Sequence, residues 1–218
     1  SMTMLRLHGF SQSGNTFKVA LMLRALELQW EAVHVDFMNG VTRTPGWRSS
    51  LNTMGEAPVL ELEDATLLTQ SGAILLHLAK THGGAWGGAK GDEQQEVLRW
   101  LFFDNHKFTS YFATYRFMKS FAPTAPDPAV MAFLRTRIDG AWGIVDKHLS
   151  QRRWLVADGP TIADFSLCGY VFYPPEESGI DVDAQFPSIA AWRERIEGLS
   201  FFAPPYDILP GERVAPKW

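Results

Sequence analysis

The chain has 218 residues, a formal net charge of -4, 46% hydrophobic and 20% charged residues. That length suits one large or two modest domains with a real core. No apolar run approaches the roughly 18–20 residues that span a bilayer, and no basic stripe of the kind nucleic-acid binders carry is visible, so neither a membrane nor a nucleic acid is an expected partner. The single cysteine, Cys168, excludes an intrachain disulfide framework and a cysteine-built metal site. It makes the cytoplasm the default compartment, and no metal is expected.

In chain order, Ser1 ahead of Met2 reads as a remnant of tag removal, and no secretory leader precedes the first strand. Met4–Leu7 reads as a short apolar strand. From Thr16 to Leu28, Phe17, Ala20, Leu21, Leu23, Leu26 and Leu28 recur at helical spacing. Trp30–Phe37 reads as a strand with Val33, Val35 and Phe37 on one face. Met38–Met54 is rich in Gly, Thr, Ser and Asn, and reads as loop with a short helix. Pro58–Leu62 and Thr66–Leu68 are short strands joined through Glu63-Asp64-Ala65 as a hairpin. Ser71–Ala79 is a compact helix whose apolar face is Ile74, Leu75 and Leu78. The order β-α-β-α-β-β-α implies a mixed sheet flanked by helices.

Composition then shifts. Thr81–Gly91 holds five glycines and reads as a linker. Asp92–Ser120 is one long helical pattern with a dense aromatic face that includes Trp100, Phe108, Phe112 and Phe117. Three prolines break it between Ala122 and Pro128. Ala129–Leu149, Thr161–Phe172 and Ile189–Leu199 are three further helices. The proline-bearing tail from Ala203 to Trp218 reads as an extended cover over them. The expected division is an α/β domain over residues 2–80, a linker over 81–91 and an all-helical domain over 92–218.

Three short motifs carry chemistry. Ser11-Gln12-Ser13-Gly14-Asn15 lies between the first strand and first helix, where free main-chain N–H groups and the helix dipole favour an anion such as a thiolate. The same residue types are also what any helix start prefers as caps. In Gly55-Glu56-Ala57-Pro58-Val59-Leu60 a proline opens a strand. A cis Ala57–Pro58 bond would turn the Ala57 main chain outward to pair with a bound peptide, whereas a trans proline would be an ordinary strand start. Gln70-Ser71 begins the third helix, where N–H groups, a hydroxyl and an amide could seat a carboxylate.

Together these motifs resemble the glutathione-binding domain of the cytosolic glutathione transferases. Leu51-Asn52-Thr53-Met54-Gly55-Glu56-Ala57-Pro58 is similar to that family's segment before the cis-proline, departing at Thr53 and Ala57. Asp158-Gly159-Pro160-Thr161-Ile162-Ala163-Asp164 resembles its helical-domain signature, physically a capping box closed by Thr161 and Asp164. Ser13-Gly14-Asn15-Thr16-Phe17-Lys18-Val19 and Arg43-Thr44-Pro45 resemble its bacterial serine-type members.

The resemblance implies a thioredoxin-like N-terminal domain plus an all-α C-terminal domain, the glutathione transferase fold. It implies a cytoplasmic homodimer in detoxification, with glutathione as co-substrate and a small hydrophobic electrophile as second substrate. Ser13 and Asn15 are then the catalytic candidates. Ser11, Arg43, Ala57, Pro58, Gln70 and Ser71 are the expected glutathione contacts. Asp104 is expected to reach a ligand amine across the dimer. Phe10, Phe108 and Phe112 are the expected walls for the electrophile. Peroxide or disulfide reduction with glutathione, and a non-catalytic glutathione-binding scaffold, are the alternatives. His106 reads as surface or cleft lining and Cys168 as core.

Overall fold

A computed structural model describes residues 4–218. Ser1, expected as a remnant of tag removal, and the expected start of the first domain at residue 2 lie outside the described residues.

The first half runs β1 (Leu5–Gly9), α1 (Gly14–Ala25), β2 (Trp30–His34), α2 (Pro45–Ser50), β3 (Val59–Glu61), β4 (Leu67–Thr69) and α3 (Ser71–His82). The four strands form one sheet in the order β2-β1-β3-β4. β1 pairs in parallel with β2, Leu7 opposite Ala32, and antiparallel with β3, Leu7 opposite Leu60. β3 and β4 are the expected hairpin. This is the mixed sheet the element order implied. α1 supplies Phe17, Val19, Ala20, Leu21, Met22 and Leu23 to the core, all fully buried. α3 runs through His82, and a short turn at Gly84–Gly87 follows it.

The helical half begins with α4 (Gly91–Phe103), a π-helical turn at Asp104–Phe108, and α5 (Thr109–Ser120). The expected single helix is therefore interrupted. The Thr109 N–H bonds the Asp104 carbonyl five residues back, the spacing of a π-bulge, which often marks functional positions. α6 (Pro128–Leu149) is capped by Asp127, which accepts the Ala129 N–H at 2.8 Å. α7 covers only Ile162–Leu167 and passes into a 3₁₀ turn at Cys168–Tyr170, so the expected helix to Phe172 is shorter. The short α8 (Val182–Gln185) precedes α9 (Pro187–Glu197), and α10 (Pro205–Ile208) opens the tail.

The Thr161 box forms as expected: its side chain caps α7, and Asp164 accepts the Thr161 N–H at 2.9 Å. Asp164 also accepts the Leu155 N–H and the Trp192 indole N–H. It is fully buried, and burial pushes its carboxyl up to about 6 against the pull of those donors. The box thus joins α7 to α9 and to the chain entering it.

Beyond α10 the tail does more than cover helices. It crosses to the turn after β1, where the Ser11 N–H bonds the Pro210 carbonyl at 2.8 Å. It ends along α5, with Lys217 and Trp218 donating to the Ser120 and Lys119 carbonyls. Among the described residues no helix is long and apolar enough to cross a membrane.

Candidate functional site

The turn from β1 into α1 sits between the two halves. Ser13 is in extended geometry and caps α1, its Oγ accepting the Thr16 N–H at 3.0 Å. The cap reading of this residue therefore holds. Its hydroxyl proton remains free to donate, and the side chain also borders a cavity of about 350 Å³. Asn15 and Ala57 line the same cavity. The amide of Asn15 is half-buried and bonds no other described residue. The Ala57–Pro58 bond is cis, as expected. Pro58 is buried behind Ala57, and the buried Asn52 shapes this loop by donating its amide to the Glu56 carbonyl at 2.9 Å.

Phe10 lines the cavity as anticipated, stacked on Phe37 with centroids 4.7 Å apart. Phe37 in turn meets Phe117 edge-on at 5.9 Å. Phe108 and Phe112 are placed elsewhere. Both stack on Trp142 in the helical core, at 4.4 and 4.6 Å, and neither borders this cavity. Its apolar wall is instead Phe10, Phe37, Phe117 and Phe121. The correction has a simple cause: a helical stripe shows which residues are apolar, not whether a neighbouring helix or a cleft takes them.

A second cavity, of about 320 Å³, opens at the start of α3 and is lined by Gln70, Ser71, Gly72, Lys18, Asp104 and Asn105 among others. Gln70 holds φ +71° and ψ 114°, a backbone region that costs a non-glycine residue about 1–3 kcal/mol and recurs at ligand clamps. It stands between β4 and the first turn of α3, whose main-chain N–H groups have no partner within the helix.

Two expected contacts, Ser11 and Arg43, are placed otherwise, and a third, Asp104, borders the second cavity with its carboxylate engaged. Ser11 is fully buried and turned to the tail, its hydroxyl donating to the Gly211 carbonyl at 3.0 Å. Arg43 is exposed on the turn at Val41–Arg43, beside Gly40, and lines neither cavity. Asp104 is 1% exposed, and its carboxylate is engaged inside the chain. Oδ2 meets Lys18 Nζ at 2.8 Å and the Ser166 hydroxyl at 2.7 Å, and Oδ1 takes the Thr109 hydroxyl. Cys168 is core, and burial pushes its thiol far up, which removes it as a nucleophile.

Beyond the aromatic wall, two more cavity residues outside the expected set matter. Arg116 lies on α5 inside the aromatic stripe, and Tyr170 ends the turn after α7; both border the cavity that holds Ser13. Their one sequence signal is a polar group embedded in an aromatic run.

Residues 7–86 match the glutathione S-transferase N-terminal domain, and residues 108–199 match the C-terminal domain of the same enzymes. A glutathione S-transferase from Xanthobacter autotrophicus Py2 is 35% identical with a TM-score of 0.83, the alignment covering 93% of this chain and 98% of that one. A glutathione S-transferase from Pseudomonas fluorescens is 32% identical, also with a TM-score of 0.83, over 93% and 99% of the two chains. The protein URE2 of Candida albicans is 25% identical over 84% of this chain, which spans 63% of that protein's length. With both domains matched and the sheet, cis-proline loop and helical half in place, the chain belongs to the glutathione S-transferase family.

Proposed function

We propose that the protein is a glutathione transferase that activates the glutathione thiol for attack on a small hydrophobic electrophile, in a detoxifying role in the cytoplasm. The observation that carries this reading is one cavity in which Ser13, Asn15 and Ala57 face an aromatic wall. The γ-glutamyl carboxylate docks at Gln70 and Ser71, and the cysteinyl main chain pairs with Ala57. The sulfur meets the Ser13 hydroxyl and the Asn15 amide at the α1 N-terminus, where the dipole favours the thiolate. The electrophile rests on Phe10, Phe37 and Phe117. Positioning contributes alongside thiolate formation.

Peroxide or disulfide reduction with glutathione is the second reading, and one observation favours it. The Asn15 amide is engaged by no described residue and can donate to the sulfur alongside the Ser13 hydroxyl, whose oxygen already accepts the Thr16 N–H. The two readings separate on a panel of a halonitroarene, cumene hydroperoxide and hydroxyethyl disulfide. Ser13→Ala is expected to lower turnover of the halonitroarene about 10- to 100-fold, the loss of roughly one strong transition-state hydrogen bond. Full activity in Ser13→Ala with loss in Asn15→Ala would overturn the serine assignment and favour disulfide reduction. Glutathione binding without turnover of any of the three would leave a binding scaffold.

The assembly belongs to the same proposal. Phe102 on α4 is 75% exposed and Met54, in the loop before β3, 61%, two large apolar side chains that a second copy of the chain could bury. A homodimer that sets the β4–α3 edge of one protomer against α4 of its partner covers them. Light scattering at micromolar concentration is expected to give twice the chain mass; a monomer would refute the arrangement.

A further inference from the structure

The cavity that holds Ser13 and Asn15 has a phenol hydroxyl as well, supplied by the helical half. Tyr170 lies against the first residue of α1. A Cβ built on Gly14 would come within 2.5 Å of the Tyr170 Cδ2 and Cε2 atoms, and within 2.6 Å of the Gly169 carbonyl. Glycine at position 14 is what lets the phenol ring reach the start of the helix.

The neighbouring tyrosines are committed. Tyr173 donates its hydroxyl to the Ser11 carbonyl at 2.7 Å, and Tyr206 donates to Glu177 Oε2 at 2.6 Å. The Tyr170 hydroxyl donates to no described residue while its side chain borders the cavity. The Arg116 guanidinium sits 5.4 Å from its ring centroid, and Tyr173, itself 4.1 Å from that guanidinium, packs tilted against it at 5.8 Å. The ring is thus held with its oxygen facing the Gly14 and Asn15 N–H groups, and its proton is left to a ligand.

Resting on the glutathione reading above, we infer that Tyr170 is a further catalytic residue, whose phenol donates a hydrogen bond to the sulfur of the bound thiol beside Ser13 and Asn15. The thiol proton leaves to solvent and Tyr170 keeps its own throughout, so no proton passes through the phenol. Burial pushes this phenol above its ordinary range, against the pull of Arg116 and of the Gly14 and Asn15 N–H groups. It is therefore protonated at neutral pH, the form that donates. A donor aimed at a thiolate lowers the pKa of the thiol, because it binds the anion and not the neutral form.

Tyr170→Phe keeps the ring and removes only the hydroxyl. The thiol of bound glutathione, titrated by its thiolate absorbance, is expected to ionise about one unit higher, and kcat/KM near neutrality to fall about tenfold. Glutathione affinity at a pH where the thiol is protonated stays unchanged, as does the melting midpoint. Tyr206→Phe, which removes a phenol outside this cavity, leaves the thiol titration where it was. A Tyr170→Phe protein that titrates like wild type overturns the inference, and so does an equal shift in Tyr206→Phe. If wild type shows no glutathione binding by calorimetry, the glutathione reading fails and takes this one with it. Wild-type binding with a lowered thiol pKa that Tyr170→Phe does not change overturns the tyrosine role alone.

Discussion

Asp104→Ala is expected to destabilise the fold by about 3–5 kcal/mol, the range for breaking a buried ion pair by removing one partner. The change strands the Lys18 ammonium, 2% exposed, in a site that no longer offers a counter-charge. It also leaves the Thr109 and Ser166 hydroxyls without their acceptor. For a chain of this size the melting midpoint should drop by about 6–20 °C. Lys18→Ala should be comparably harmful. Lys18→Met combined with Asp104→Ala should cost less than the two single changes added, because the double variant buries no lone charge. The alternative role, contact with a ligand amine, gives the opposite pattern: normal stability with weakened glutathione binding. A midpoint within a degree of wild type would reinstate it.

This pair also shows where the sequence was legible and where it was not. The alternation of short apolar strands with helical spacing is local, so the β-α-β-α-β-β-α order could be read, as could the caps at Ser13 and Thr161. The π turn at Asp104–Phe108 could not. It accompanies a carboxylate that meets a lysine 86 positions away in sequence, and no window of the sequence contains both. Helices of four residues such as α8 and α10 are shorter than any periodic signal. The site was half legible for the same reason. Ser13, Asn15, Ala57, Gln70 and Ser71 sit at element junctions, which turn and cap chemistry marks in the sequence. Phe117, Arg116 and Tyr170 reach the cavity only through the docking of the helical half, and Phe108 and Phe112 are lost to Trp142 by the packing of that half on itself. Ser11, expected as a glutathione contact beside Ser13, gives its hydroxyl to the tail some 200 positions later.

The turn that carries Ser13 is held from three directions, and Arg116 is the central grip. Its Nε and Nη2 donate to Glu177 Oε1 at 3.0 and 2.7 Å, and its Nη1 donates to the Gln12 carbonyl at 2.7 Å. Tyr173 holds the adjacent Ser11 carbonyl, and the tail holds the Ser11 N–H and hydroxyl through Pro210 and Gly211. Arg116 and Glu177 are 3% and 1% exposed, so Arg116→Leu leaves a buried carboxylate with only the Tyr206 hydroxyl and is expected to cost about 3–5 kcal/mol. Arg116→Lys separates support of the fold from positioning of the turn. An ammonium restores charge to Glu177 but lacks the planar fork that reaches the carboxylate and the Gln12 carbonyl together. Its stability should therefore recover much of the loss. Its turnover should stay about tenfold below wild type, as loss of one positioned interaction would give, with KM for glutathione nearly unchanged because Ala57, Gln70 and Ser71 lie outside the turn. Denaturant midpoints and steady-state kinetics on the two variants check this. Wild-type turnover in Arg116→Lys would mean that Tyr173 and the tail position Ser13 without the guanidinium, and a midpoint for Arg116→Leu within about 1 kcal/mol of wild type would remove the pair from the fold's supports as well.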